Sequence, residues 1–182
     1  MSKTARKDYV LFDMDTKAFV YGYQTNAIQR MLDFDYICNR PEPSISAIIN
    51  PNRAGIHKAF WGKKEIILPM YKTISLAAKA YPEADVMVNF ASHRSAFETT
   101  MEALEEKSIR IVAVIAEGVP ERQSRIMSAT AKKMGKIVLG PATVGGMTAG
   151  AFRIGNTAGT IENIIASKLY RPGSVGFVSK SG

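Results

Sequence analysis

Short apolar runs rich in β-branched residues recur along the chain, separated by stretches whose apolar positions repeat with helical spacing. Candidate strands are AFVYGY (18–23), ISAIIN (45–50), DVMVNF (85–90), RIVAVIA (110–116), KIVLG (136–140) and SVGFVS (174–179). Several are apolar almost throughout, as strands covered by helices on both faces must be. Helical spacing predicts helices over 25–38, where Ile28, Met31 and Leu32 share a face, and over 73–81, 95–107, 121–134 and 161–169. Ser95-Ala96-Phe97-Glu98 has the form of a capping box at the start of the third of these. The stretch GPATVGGMTAGAFRIGNTAG, 140–159, is Gly-rich and has no period. In a compact domain so long a loop is usually functional.

Strands alternating with helices argue for βαβ units. The expected class is therefore α/β: a doubly wound, mostly parallel sheet, Rossmann-like, filling residues 15–172. Residues 1–14 read as an N-terminal extension. After the break at Arg171-Pro172-Gly173, residues 173–182 read as the first strand of a following domain, with GFV running into SKSG, a turn of the kind that opens a helix over an anion. The expectation is that the chain is a piece of a longer protein.

Composition narrows the function classes. Apolar residues make up 46% and charged residues 22% of 182, ordinary values for a globular domain. No apolar run approaches the roughly 20 residues of a membrane span, and the charged start MSKTARKDYV has no apolar signal core behind it, so a cytoplasmic location and no membrane partner are expected. The single cysteine, Cys38, reads as a small buried hydrophobe, and no His/Cys cluster offers metal-ligand spacing, so no metal is expected. Net charge is +8, from 24 Lys and Arg against 16 Asp and Glu. The basic residues are dispersed, without the aromatic interleaving of nucleic-acid binders, so no nucleic acid is expected. A phosphorylated small ligand would use the same charge locally.

In an open α/β sheet the ligand lies beyond the carboxyl ends of the strands. Four β-to-α turns fall there: YGYQTNA, NFASHRSA, AEGVPE and GPATVGG. The first holds Gly22 alone where a dinucleotide fingerprint needs three glycines, with Tyr23 and Asn26 where backbone should approach a pyrophosphate. The second strand ends in Asn50-Pro51-Asn52-Arg53, followed by His57, Lys58, Lys63 and Lys64, in place of the acidic residue that NAD calls for. A basic edge suits a phosphorylated ribose. NADP and coenzyme A both satisfy that charge; the missing glycines count against NADP. In NFASHRSA, Arg94 offers a phosphate fork and Ser92 and Ser95 offer neutral donors, although Ser95 also fits a plain helix cap. Glu117 either accepts hydrogen bonds from a ligand or only complements the dipole of helix 121–134. His93 and His57 lie in loops with no Ser/His/Asp set or paired carboxylates around them, so the chain reads as a binding domain more than a complete active site.

These turns, in this order, resemble the CoA-binding domain of the succinyl-CoA synthetase α-subunit superfamily, and most closely the ATP-citrate lyase family. MLDFDYICNRPEPSISAII, FWGKKEIILP, NFASHRSA, IAEGVPE, GPATVGG, IGNTAG and ASKLYRPGSV carry the likeness, over about 15–182. The resemblance implies that Gly22, Tyr23, Gln24 and Thr25 form the first CoA turn, Phe90, Ser92, Arg94 and Ser95 the second, and Glu117 with Gly118 the third. Ser179, Lys180, Ser181 and Gly182 would open the helix facing a transferable phosphate, at the start of a flavodoxin-like domain. Lys180 stands where relatives often have Arg, a point charge in place of a planar fork. Asn52 stands where some members carry an aromatic residue. In such enzymes ATP phosphorylates a histidine, the phosphate passes to citrate, CoA thiol attacks citryl phosphate, and a lyase domain splits citryl-CoA into acetyl-CoA and oxaloacetate. The implied partners are an ATP-grasp subunit or half holding ATP and Mg2+, with citrate and CoA as substrates, in a hetero- and homo-oligomer. A citryl-CoA or succinyl-CoA synthetase subunit without lyase activity, and a non-catalytic CoA- or nucleotide-binding module, are the alternatives.

Overall fold

The computed structural model describes residues 10–179. Its chain runs β1 (Ala18–Tyr21), α1 (Thr25–Ile37), β2 (Ile45–Ile49), β3 (Gly55–Trp61), β4 (Lys64–Tyr71), α2 (Ile74–Ala80), β5 (Val86–Asn89), α3 (Ala96–Glu105), β6 (Ile111–Val114), α4 (Glu121–Lys133), β7 (Ile137–Leu139), β8 (Met147–Thr148), β9 (Phe152–Arg153) and α5 (Ile161–Ala166). Seven strands form one sheet in the order β3-β4-β2-β1-β5-β6-β7, parallel except for the β3–β4 hairpin. Strand order reverses beside β1: the chain leaves it for β2 on one side and returns to β5 on the other. A doubly wound sheet has its ligand crevice at that switch point.

Alternation along each strand builds two cores. Ala18, Val20, Ile48 and Val88 pack with Ile28, Met31 and Leu32 of α1 and with Phe152 and Ile154. Phe19, Ala47, Ile49, Met87 and Val112 pack on the opposite face with Ile74 and Ala77 of α2, Ala96 and Leu104 of α3, and Ala131 of α4. Both faces of the central strands are covered, which explains their nearly uniform apolar character.

The first core extends into the segment read as an N-terminal extension. Phe12 is only 2% exposed and its ring lies 5.0 Å from that of Phe152. Arg110 donates to the carbonyls of Leu11 at 2.7 Å and Val10 at 3.3 Å, tying the segment down.

Three sequence expectations are corrected. The basic stretch after Asn50 is a hairpin, not a loop: Gly55↔Met70 through Trp61↔Lys64 pair antiparallel. The side chain of Gln29 on α1 closes the free edge of β3, donating to the Phe60 carbonyl at 2.7 Å and accepting the Phe60 N–H at 3.0 Å. Loop 140–159 contains the small β8–β9 hairpin. SVGFVS forms no ladder within its described residues: Val175, Phe177 and Val178 are 88–97% exposed. A strand needs a partner strand for its N–H and C=O groups, and residues 175–178 pair with none of the described strands. Ser181 and Gly182 lie outside the described residues.

Candidate functional site

The turn after β1 sits at the switch point. Gly22 adopts φ +96°, and a Cβ there would meet the Cβ of Phe90 at 3.2 Å. A side chain at this position would therefore be both strained and crowded. The N–H of Gly22 bonds the Ile49 carbonyl at 2.9 Å and the N–H of Phe90 bonds the Tyr21 carbonyl at 2.9 Å, locking the turn between β2 and β5. α1 then starts at Thr25 with no side-chain cap and no acidic residue in its first turn. Its first N–H groups and the positive end of its dipole are open to an anion.

The other turns close around this one. A Cβ on Gly155 would touch Cζ of Phe90 at 3.4 Å, so the Gly-rich loop meets the tip of the Phe90 ring while Gly22 lies at its base. A Cβ on Gly118 would lie 3.9 Å from that of His93, placing the third turn against the second. The N–H of Ala142 bonds the Ala116 carbonyl at 2.9 Å and joins the fourth turn to the third. Gly22, Phe90, the Ser92–Ser95 turn, Gly118 and loop 140–159 thus occupy one rim. Ser92, Arg94 and Glu117 are exposed along it.

Ser95 begins α3, but its side chain caps nothing. Its Oγ lies 3.3 Å from the Ser92 Oγ instead. The capping box read from Ser95 and Glu98 is not formed, because Ser95 has φ −118° and ψ −6° rather than the extended conformation that aims a hydroxyl at the first turn. Asn89 shapes this turn and was missed. Its amide donates to Thr99 Oγ1 at 2.8 Å and Thr100 Oγ1 at 3.1 Å, and its carbonyl oxygen accepts the Ala91 N–H at 2.9 Å. A polar residue closing the apolar run DVMVNF was the available signal.

The hairpin divides the basic edge. Arg53 is presented by a turn in which its N–H bonds the Asn50 carbonyl at 3.2 Å. Its guanidinium lies 5.8 Å from the Tyr23 ring centroid, a cation–π contact. His57, read as a loop residue, stands on β3 with Nδ1 2.9 Å from the Tyr23 hydroxyl and its ring edge-on to that of Tyr23. Burial lowers the pKa of His57. Lys63 and Lys64 are at the hairpin tip, roughly 20 Å from Gly55 along a seven-residue strand, and so leave the rim. Lys58 is paired with Glu65 at 3.2 Å. Among the described residues neither Arg53 nor Arg94 makes an ion pair.

Residues 13–118 match the CoA binding domain family. The chain belongs to that family. The matched residues hold the first two turns and the third as far as Gly118, while loop 140–159 lies beyond them. The chain is 57% identical over 178 residues to the probable ATP-citrate synthase subunit 1 of Schizosaccharomyces pombe, covering 97% of this chain and 29% of that protein. It is 89% identical, with a TM-score of 0.95, to ATP citrate lyase from Methanothrix soehngenii solved in complex with citrate and coenzyme A. The same identity and TM-score relate it to Methanosaeta concilii ATP citrate lyase solved with (3S)-citryl-CoA. The chain spans 29% of the length of each of these proteins.

Proposed function

We propose that this chain is the CoA-binding domain of an ATP-citrate lyase, an enzyme that converts citrate, CoA and ATP to acetyl-CoA, oxaloacetate, ADP and phosphate. The observation that carries the reading is the uncapped N-terminus of α1 beneath Gly22, bordered by two exposed arginines without acidic partners. Such a rim fits a polyanionic ligand. The similarity to lyases solved with coenzyme A and with citryl-CoA selects CoA among phosphorylated ligands.

In this reading the Gly22–Thr25 backbone and the α1 N-terminus hold the pyrophosphate, where Gly22 allows close approach. Arg94 supplies a planar fork for a phosphate, and Ser92 and Ser95 add neutral hydrogen bonds. Glu117 accepts from hydroxyl or amide groups of the pantetheine arm beside Gly118, and Phe90 backs the crevice. CoA brings the thiol that attacks the activated citrate; the residues of this chain bind and orient it. Effective molarity from such positioning is large, so a domain without a catalytic side chain still contributes to rate.

The remaining parts of the reaction belong to other segments and partners. ATP and Mg2+ sit on an ATP-grasp half or subunit, consistent with a relative called subunit 1. The assembly is hetero- and homo-oligomeric. A cytoplasmic location suits a chain whose one thiol, Cys38, is free and buried. Among the described residues no helix is long and apolar enough to cross a membrane.

Calorimetric titration of the full-length chain tests the reading. CoA should bind saturably and NADP should not compete for the site. Competition by NADP at similar concentration would replace this reading with a dinucleotide site.

A further inference from the structure

Resting on the coenzyme reading above, we infer that Asn89 is a positioning residue for the coenzyme: its buried amide braces the Ser92–Ser95 turn from beneath and sets where Ser92 and Arg94 meet the ligand. Asn89 closes β5 at 0% exposure, so it acts on a ligand only through its neighbours. Both ends of its side chain are spent across the turn. The carbonyl oxygen accepts the Ala91 N–H at 2.9 Å, on the chain entering the turn. The amide nitrogen donates to Thr99 Oγ1 at 2.8 Å, Thr100 Oγ1 at 3.1 Å and the Ala96 carbonyl at 3.4 Å, on the helix leaving it. Because the Ala91 N–H can only donate, these contacts fix which way the amide points.

The network continues into the backbone of the turn. Thr99 Oγ1, which accepts from Asn89, donates in its turn to the Ser95 carbonyl at 2.9 Å. The Ser92 carbonyl accepts the N–H groups of Ser95 at 3.0 Å and Ala96 at 2.8 Å. The turn is thus held at Ala91 on one side and at Ser95 and Ala96 on the other, while Ser92, His93 and Arg94 stay exposed between them. The fold alone does not call for an amide here. Val86, Met87 and Val88 of the same strand are fully buried, and an apolar residue would end β5 under α3 without desolvating a polar group. What an apolar side chain cannot do is bond both sides of one turn at once. A fork held in place before the ligand arrives spares the cost of ordering it on binding.

The test is a double-mutant cycle on the full-length chain, with CoA affinity read by calorimetry. Asn89→Leu, similar in size and unable to form hydrogen bonds, should weaken CoA binding about tenfold or more when Arg94 is present, and by no more than about threefold in an Arg94→Ala background. Thr99→Val keeps Asn89 and removes one of its acceptors; it should show the same coupling on a smaller scale, and it carries the cycle if Asn89→Leu does not fold. Losses of equal size in both backgrounds overturn the inference, since they mark a residue that serves the fold alone. So does unchanged CoA affinity in both variants, or an Arg94→Ala variant that binds CoA as tightly as the unaltered protein. Each of these results leaves the coenzyme reading standing. If the unaltered protein does not bind CoA, the coenzyme reading fails and this inference with it.

Discussion

Arginine does opposite work in two regions of this molecule. Arg40 and Arg153 lie beside α1 at 4% and 1% exposure, and both donate to the protein's own backbone carbonyls. Arg40 donates to the carbonyls of Ala151 at 2.6 Å, Thr16 at 2.9 Å and Asp13 at 3.3 Å, so one guanidinium joins the N-terminal segment to the Gly-rich loop. Arg153 donates to the Gly159 carbonyl at 2.5 Å and the Arg30 carbonyl at 3.4 Å, and fixes the far end of that loop against α1. Arg53 and Arg94 are exposed on the rim without an ion pair among the described residues. The buried pair shapes the loop that covers Phe90, and the rim pair is left available for a ligand. Substitutions should therefore separate cleanly into losses of stability and losses of binding.

The largest effect is expected in the buried region. Arg40→Ala removes the donors to four backbone carbonyls, those three and that of Glu42 at 3.4 Å, and leaves Asp35 without its neighbouring cation, which lies 3.6 Å from Oδ1. Breaking such a buried pair costs about 3–5 kcal/mol, and urea unfolding should show a loss of that size. A loss below about 1 kcal/mol would mean that the loop is held without Arg40.

Asp35 itself predicts a pH dependence. Burial pushes its carboxyl up to about 6, although the Ser44 N–H at 2.7 Å and Arg40 oppose the shift. Arg40 stays 3.6 Å from Oδ1, just beyond hydrogen-bond reach, and spends its other donors on carbonyls, so burial prevails. The folded form then binds this proton more tightly than the unfolded chain, whose aspartate titrates near 4. The associated stability is present below about pH 4 and is lost as pH rises through about 6. Relative to Asp35→Asn, the unaltered protein should be more stable at pH 5 than at pH 7.5 by roughly 1–3 kcal/mol. An unchanged difference between the two pH values would show that the carboxyl stays charged throughout.

At the rim the expected loss moves from stability to affinity. Arg94→Ala should weaken CoA binding by about 1.5–3 kcal/mol, the worth of a hydrogen bond to a charged group, while unfolding shifts by less than about 0.5 kcal/mol. Unchanged affinity would remove Arg94 from the site. A large stability loss would dissolve the distinction between the two regions.

How much of this was legible differs between the regions for physical reasons. Strands β1, β2, β5, β6 and β7 announce themselves because helices cover both their faces, so almost every position is apolar. The β3–β4 hairpin hides its period. Ile56 and Phe60 are exposed on one face while Ala59 is buried on the other, and lysines interrupt both. Pro69 argues against an inner strand, yet β4 meets β2 only at Met70 and Tyr71, beyond the residue that lacks an N–H. The rim glycines were legible as turns, but the Tyr23–His57 bond spans 34 residues and depends on the hidden hairpin. The buried arginines were not legible either: their partners are backbone carbonyls, which leave no mark on residue type.

The smallest effect is also the sharpest test of whether a rim residue serves the fold or the ligand. Ser95 occupies an N-cap position without capping, whereas Thr73 caps α2 by accepting the Leu76 N–H at 3.2 Å. A working cap is worth about 1 kcal/mol, so Thr73→Ala should cost that much stability. Ser95→Ala should cost under about 0.5 kcal/mol in unfolding, because no helical N–H loses its partner. Its hydroxyl faces that of Ser92, and CoA affinity should fall while stability holds. If Ser95→Ala instead costs as much stability as Thr73→Ala and leaves affinity intact, the residue is a cap in solution, and the second turn contributes only Arg94 and Ser92 to the rim.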